Sequence, residues 1–199
     1  MKVVCGMLRR GITEKKRGNT MRRLGTILVL GALSLSLLSG CGDKTGYAKD
    51  GFAEGRLGDT MHTYFFDFTV NSAYLCDTYE GYTPIMEGYQ LLVADVTVKN
   101  TNRESIPMYD TDFQVQWSDD SEDAYDVPIT YYTDAVSDQQ LPTEYELAVD
   151  EERTGLLVFE VPAGETDFSI SYLELFDDGT EEGEEGDTFF VYFTAEAQA

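Results

Sequence analysis

GYQLLVADVTVKN, residues 88–100, decides the fold. Leu92, Ala94, Val96 and Val98 fall on one side of it, and Val93, Asp95 and Thr97 on the other. A period of two in apolar and β-branched residues describes a half-buried strand, not a helix. The run stops at KNTNRES, a cluster of turn-forming residues.

The same period recurs outward from this segment. Upstream, TYFFDFTVNSAYL (63–75) sets Tyr64, Phe66, Phe68 and Val70 against Asp67, Thr69 and Asn71. Downstream, TDFQVQW (111–117) puts Phe113, Val115 and Trp117 on one face, and the SDDSED turn follows. AYDVPITYY (124–132) can be a strand, but Pro128 has no amide to donate and restricts it to an edge or a bulge. Residues 133–144 are the one candidate for a short helical turn, and YELAV (145–149) for a brief strand. RTGLLVFEVP (153–162), DFSISYLELF (167–176) and TFFVYFT (188–194) complete the set. No stretch sustains a 3.6-residue period. The pattern predicts an all-β, immunoglobulin-like antiparallel sandwich of about 7–9 strands over residues 59–199.

The front of the chain reads as an address. The apolar run Leu24–Leu38 follows Arg22 and Arg23 and is shorter than the roughly 20 residues that cross a bilayer. A basic start, a short apolar stretch and small residues form a secretory signal over 1–40. Its ending, Leu38-Ser39-Gly40-Cys41, resembles the lipobox of bacterial lipoproteins. That resemblance implies diacylglyceryl transfer to Cys41, cleavage before it, and a membrane anchor on the extracytoplasmic face. The stretch before Met21 has no apolar period, and Met21 is the expected true start. Residues 41–58, Gly-rich and polar, read as the lipidated cysteine and a flexible linker.

Residues 1–40 hold eight of the 14 Lys+Arg but one of the 37 Asp+Glu, so the remainder carries a formal charge of about −30. Clustered basic residues are what phosphate contacts need, so nucleic acid is excluded as a partner. An aromatic content of 13% argues for a folded chain over a disordered acidic tail. With Cys5 removed and Cys41 lipidated, Cys76 has no intrachain partner for a disulfide. It reads as a small buried hydrophobe.

The framework carries a resemblance. Gly88, Val96, Val98 and Asn100, then Asp112 and Phe113, then Gly155, Phe159, Val161 and Pro162 match a pattern found in Firmicutes lipoproteins. These carry a telokin-like, immunoglobulin-like domain of unknown function, and the resemblance covers about residues 58–194. It implies the sandwich fold and no catalytic residues. The SDDSED turn departs from the pattern by lacking the Asp-Gly that similar domains often have.

Candidate chemistry is sparse, and no enzyme is expected. The only histidine, His62, would have to serve any Ser-His-Asp arrangement. It reads as a strand-edge residue without a role. Zinc needs grouped His and Cys, and the chain has no such group. No cofactor is expected beyond weak calcium binding. Two loops are rich enough in oxygen for it: Asp119, Asp120, Glu122 and Asp123, then Asp177, Asp178, Glu181, Glu182, Glu184, Glu185 and Asp187. Neither has EF-hand spacing, and the second reads equally as a hairpin loop with Gly179, Gly183 and Gly186 at positive φ. Tyr79, Tyr82, Tyr89, Tyr131 and Tyr132 form a candidate aromatic surface for a ligand or partner. The expected function is a membrane-anchored binding module that meets another envelope or secreted protein. The alternative is a cation- or small-ligand-binding lipoprotein.

Overall fold

The strand that decides the fold is buried on both faces over Leu91–Ala94. β4 (Tyr89–Asn100) turns Leu92, Ala94, Val96 and Val98 into the main core, while Leu91 and Val93 on its other face are also fully buried. The computed structural model describes residues 45–117, 124–177, 179 and 183–198. Among these it shows twelve strands and no α-helix. Besides β4 they are β1 (Phe52–Arg56), β2 (Thr60–His62), β3 (Phe66–Cys76), β5 (Ile106–Tyr109), β6 (Phe113–Trp117) and β7 (Tyr125–Asp126). β8 (Glu144–Leu147), β9 (Glu152–Pro162), β10 (Asp167–Phe176), β11 (Glu184–Thr194) and β12 (Glu196–Ala197) follow.

Two sheets face each other. One runs β1-β11-β10-β6-β7; the other runs β12-β3-β4-β9, with β2 also on β3. Period-two side chains from both meet between them: Phe66, Phe68 and Val70 from β3, Phe113 and Val115 from β6, Phe168, Ile170 and Tyr172 from β10, and Phe189 and Val191 from β11. Phe66, Phe68 and Phe113 contact Tyr172 and one another edge-on or tilted, the arrangement that ring quadrupoles favour. A separate ribbon, β5 with β8, adds Ile106, Met108, Tyr145 and Leu147 to the same core. The expected β-sandwich is therefore the fold, the short strands raising the number of elements.

Asn100, where β4 ends, closes the turn that follows. It is fully buried. Its Nδ2 donates to the carbonyls of Glu104 and Leu147, each at 2.9 Å, and its Oδ1 accepts the Asn102 amide at 2.7 Å. One side chain thus shapes the turn and ties β4 to β8. Gly155, another framework position, lies against Leu141: a Cβ there would come within 2.9 Å of Leu141 Cδ2.

Five local expectations are corrected. The linker read over 41–58 carries regular structure from residue 45: β1 pairs in parallel with β11, and Gly46, at φ +84°, lies so close to Thr60 that no Cβ would fit. Tyr64 is 69% exposed, not inward, because the Thr63 hydroxyl accepts the Phe65 and Phe66 amides and bends the chain before β3 begins. Residues 124–132 give only the two-residue β7, then a 3-10 turn at Ile129–Tyr131 beyond Pro128. That turn, not 133–144, is the helical piece; Val136 and Ser137 donate their amides to the Gln140 side chain in a bend. Cys76 is half-buried, and burial pushes its thiol up, with the Asp77 charge adding to the effect.

Between β5 and β6, Asp110 is buried and accepts the Thr130 hydroxyl, and burial raises its carboxyl. Asp112 accepts the Tyr109 amide at 3.3 Å; burial, with Asp110 nearby, pushes it up to about 6. A carboxyl that holds its proton more tightly folded than unfolded makes stability fall as pH rises between about 4 and 6. Replacement by asparagine, Asp112→Asn, should flatten that part of the profile, read as the difference between the two proteins' urea midpoints at pH 4.5 and pH 7. Asn100→Ala leaves the buried Leu147 carbonyl and the part-buried Glu104 carbonyl without their donor and should cost about 1–3 kcal/mol in urea unfolding.

Candidate binding surface

The outer face of β4 cannot meet water, since Cys76, Leu91 and Tyr74, Val93, Val158 lie side by side on it. Two segments cover it. The first is the connection 77–88 between β3 and β4, and the second is the 3-10 turn with the chain beyond it. Tyr79, Ile129 and Val136 pack down onto the strands and make a second, smaller core. The connection folds back through a tight turn. Tyr79 and Tyr82 exchange both backbone hydrogen bonds, and Glu80 and Gly81 between them have φ of 47° and 83°. Two successive positive φ values are what a type I′ turn requires.

Glu160 pins this cover. It sits on the outer face of β9, beside Leu91 in register, and is only 4% exposed. Its Oε1 accepts the Tyr82 hydroxyl at 2.6 Å and the Ile85 amide at 2.9 Å; its Oε2 accepts the Met86 amide at 3.3 Å. The Tyr132 hydroxyl donates to Asp126 Oδ1 at 2.9 Å, and that oxygen also accepts the Val127 amide at 2.8 Å. Burial raises the Asp126 carboxyl, and the Glu160 charge raises it further. Tyr82 is raised by burial first, then by Glu160, Asp126 and Tyr132. Burial and Asp126 push Tyr132 up to about 12. Two carboxylates and two phenols therefore share one neighbourhood.

Above it the chain shows apolar surface. Ile85 is 70% exposed, Met86 56%, Tyr131 64% and Tyr132 54%. Tyr131 and Tyr132 meet edge-to-face with ring centroids 5.1 Å apart. Of the five tyrosines singled out in the sequence, the structure joins Tyr82, Tyr131 and Tyr132 on this patch. Tyr79 is corrected to a core residue, and Tyr89 lies apart at the start of β4, opposite Pro162. Glu160 went unnoticed, although an acidic residue between Phe159 and Val161 in an apolar strand is a readable signal.

A groove of about 980 Å³ lies on another side, near β2 and the β10–β11 hairpin. His62 lines it, bonded through Nδ1 to Asp67 Oδ1 at 2.9 Å, with Tyr47 stacked on its ring at 4.1 Å between centroids. His62 is thus a strand-edge residue as expected, but one held by a carboxylate in a concave site. Glu174, 4% exposed, also lines the groove and accepts the Tyr64 and Asp187 amides at 2.6 and 3.1 Å. Gly186 is not at positive φ as expected. It leaves space instead, since a Cβ there would come within 2.7 Å of Glu174 Oε2.

Of the candidate calcium ligands, Asp119, Asp120, Glu122, Asp123, Asp178, Glu181 and Glu182 lie outside the described residues, as does Cys41. Asp177 is exposed and accepts the Gly179 amide at 2.9 Å. Glu184 and Glu185 begin β11 and, with Asp187, line the groove. Among the described residues, no three of His, Cys, Asp and Glu gather as a metal ion would need.

These features define an immunoglobulin-like β-sandwich whose outer face is covered over the first half of β4 and which exposes Tyr131 and Tyr132 beside that cover. The family described as Domain of unknown function (DUF4352) matches residues 55–181, more than half of the chain, and the chain belongs to it. The expected resemblance is thereby met. The fold is similar to that of ycdA, a candidate lipoprotein of Bacillus subtilis subsp. subtilis str. 168, at 14% identity and a TM-score of 0.52 over 68% of this chain. This chain spans 38% of that one. The yjhA protein of Bacillus subtilis is similar at 21% identity and a TM-score of 0.51, over 69% of this chain and 97% of that one. MPT63, a secreted protein of Mycobacterium tuberculosis, is similar at 15% identity and a TM-score of 0.50, over 72% and 98%. At such identities the likeness is one of fold. No curated protein matches the chain in sequence.

Glu160→Ala should free the 77–88 connection. Amide exchange at Ile85 and Met86 should accelerate, and unfolding should cost about 1–3 kcal/mol less, since part-buried donors lose a charged acceptor. Exchange measured by mass spectrometry checks the first, and urea unfolding the second.

Proposed function

We propose that the chain is an extracytoplasmic binding module, tethered to the membrane through lipidated Cys41, with no catalytic activity. Its partner is another envelope or secreted protein, engaged through the Tyr131–Tyr132 and Ile85–Met86 surface. One observation carries the reading: Ile85 and Met86 stand exposed on a connection that buried Glu160 holds in place, and Tyr131 and Tyr132 stand exposed in contact on the second covering segment. Exposed apolar clusters on a pinned backbone mark interaction sites. The lipobox at Leu38–Cys41 supports the address, and so does the fold shared with a candidate lipoprotein and a secreted protein. No helix among the described residues is long and apolar enough to cross a membrane.

The module reading makes a direct prediction. Envelope and secreted proteins retained on the immobilised chain should be lost from the Tyr131→Ala/Tyr132→Ala double variant. The same proteins should remain bound to the wild type in chelator. Equal retention by wild type and double variant sinks the reading.

A further inference from the structure

We propose a second binding site, on the outer face of the other sheet, that takes an uncharged, β-linked oligosaccharide. It is independent of the Tyr131–Tyr132 surface. Along β10, Phe168, Ile170 and Tyr172 enter the core, so Ser169 and Ser171 point away from it. Register sets the serines between larger neighbours. Ser169 lies between Tyr192 of β11 and Gln116 of β6, and Ser171 between Phe190 and Gln114. The middle strand of this face thus carries its smallest side chains, with aromatic rings along one side and amides along the other. Arg56 of β1 extends the Ser169 row beyond Tyr192.

That row is hollow. A cavity of about 480 Å³ is lined by Arg56, Tyr192, Ser169 and Gln116, together with Trp117 and Asp167. The two serines are 4% and 5% exposed. Among the described residues neither hydroxyl forms a hydrogen bond, and neither does the side-chain amide of Gln114 or Gln116. A nearly buried hydroxyl without a partner in the chain calls for one from outside it. Arg56 gives one donor to the Gly55 carbonyl at 3.0 Å and stands 5.3 Å from the Tyr192 centroid. Its other guanidinium donors are left for a ligand.

The chemistry selects the occupant. Serine hydroxyls and glutamine amides both donate and accept, and so do sugar hydroxyls. Phe190 and Tyr192 lie nearly parallel, with 18° between their planes and 5.9 Å between centroids. The negative face of such a ring attracts the weakly positive C–H groups on the flat side of a pyranose. Phe190, Tyr192 and the serines and glutamines beside them bear no charge, on a chain whose formal charge from Cys41 onward is about −30. That charge repels an anionic glycan, and a basic peptide finds no counter-charge in these two rows of rings, serines and glutamines. The small side chains follow the strand, so a straight sugar chain, as β-1,4 linkage makes, fits better than a coiled one.

The test titrates the full-length chain, in a detergent without a sugar headgroup, with cellotetraose and with chitotetraose. Nuclear magnetic resonance follows the backbone amides of Ser169 and Ser171 and the side-chain amides of Gln114 and Gln116. At least one of the two sugars should shift these signals saturably at millimolar concentration and leave those of Ile85, Tyr131 and Tyr132 in place. Tyr192→Ala should weaken binding about fivefold, the worth of one ring contact. Gln116→Ala should weaken it by a similar factor through lost hydrogen bonds. No shift with either sugar, or shifts confined to the Tyr131–Tyr132 surface, overturns the assignment on the wild-type chain alone. If neither sugar binds and Tyr192→Ala loses a captured envelope or secreted protein, the face binds protein and the glycan assignment falls. Neither result touches the Tyr131–Tyr132 reading, which the double variant tests by itself.

Discussion

The rest of the structure follows from one constraint: the first half of β4 is apolar on both faces. Its inner residues need the opposite sheet, which is the ordinary demand of a sandwich. Its outer residues, Leu91 and Val93, lie in register with Glu160 and Val158 of β9 and with Cys76 and Tyr74 of β3. Each fully buried aliphatic side chain contributes about 1.5–3 kcal/mol. Leaving that row in water would forfeit several such contributions, so the chain must supply a lid. The lid is made from loops, and loops carry more backbone polar groups than side chains can shelter. That is why a carboxylate stands among the apolar residues beneath it.

Glu160 and Glu174 are the same device used twice. Each is 4% exposed, Glu160 on the outer side of its sheet and Glu174 on the inner side, in alternation with Ile170 and Tyr172 where the sandwich ends. Each accepts backbone amides: Ile85 and Met86 of the 77–88 connection for the first, Tyr64 before β3 and Asp187 at the irregularity in β11 for the second. A buried ionised group costs free energy, and amide donors offset part of that cost. An apolar residue at either place could pack against a loop but could not fix its height. The bonds set which backbone atoms sit where, and this is what leaves Ile85 and Met86 facing outward. At Glu174 the bulge between Leu173 and Leu175 and the missing Cβ of Gly186 make the room.

What the sequence shows and what it hides divide along the same physical line. Alternation exposes any strand with one wet face, so β6, β10 and β11 are readable from Phe113–Trp117, Phe168–Tyr172 and Phe189–Phe193. The fold class follows from those alone. β1 is hidden because FAEGR is short and polar and pairs in parallel with β11, more than a hundred residues away. Local pattern contains no trace of such a pairing. Tyr64 continues a perfect alternation and still points out, because the Thr63 hydroxyl outcompetes the ladder for the next amides. The tyrosines were visible by type, yet Tyr79 and Tyr131 have opposite fates. Which ring is buried depends on how the connection folds back, and a turn with two positive φ values at Glu80 and Gly81 sets that.

The acidic coat changes what an aromatic patch can do. From Cys41 onward the formal charge is about −30, and of the few basic residues Arg153 and Arg56 are already engaged with Tyr145 and Tyr192. A patch of Ile, Met and Tyr on a neutral surface would adhere to many partners through apolar area alone. On the proposed reading, the chain's negative charge would repel acidic partners and steer basic ones toward the patch. Discrimination then comes from the coat, and contact area from the patch. Specificity is a difference of affinities, and like-charge repulsion is one of the ways to widen it. On the proposed reading, the acidic charge and the exposed tyrosines would act as parts of one recognition surface.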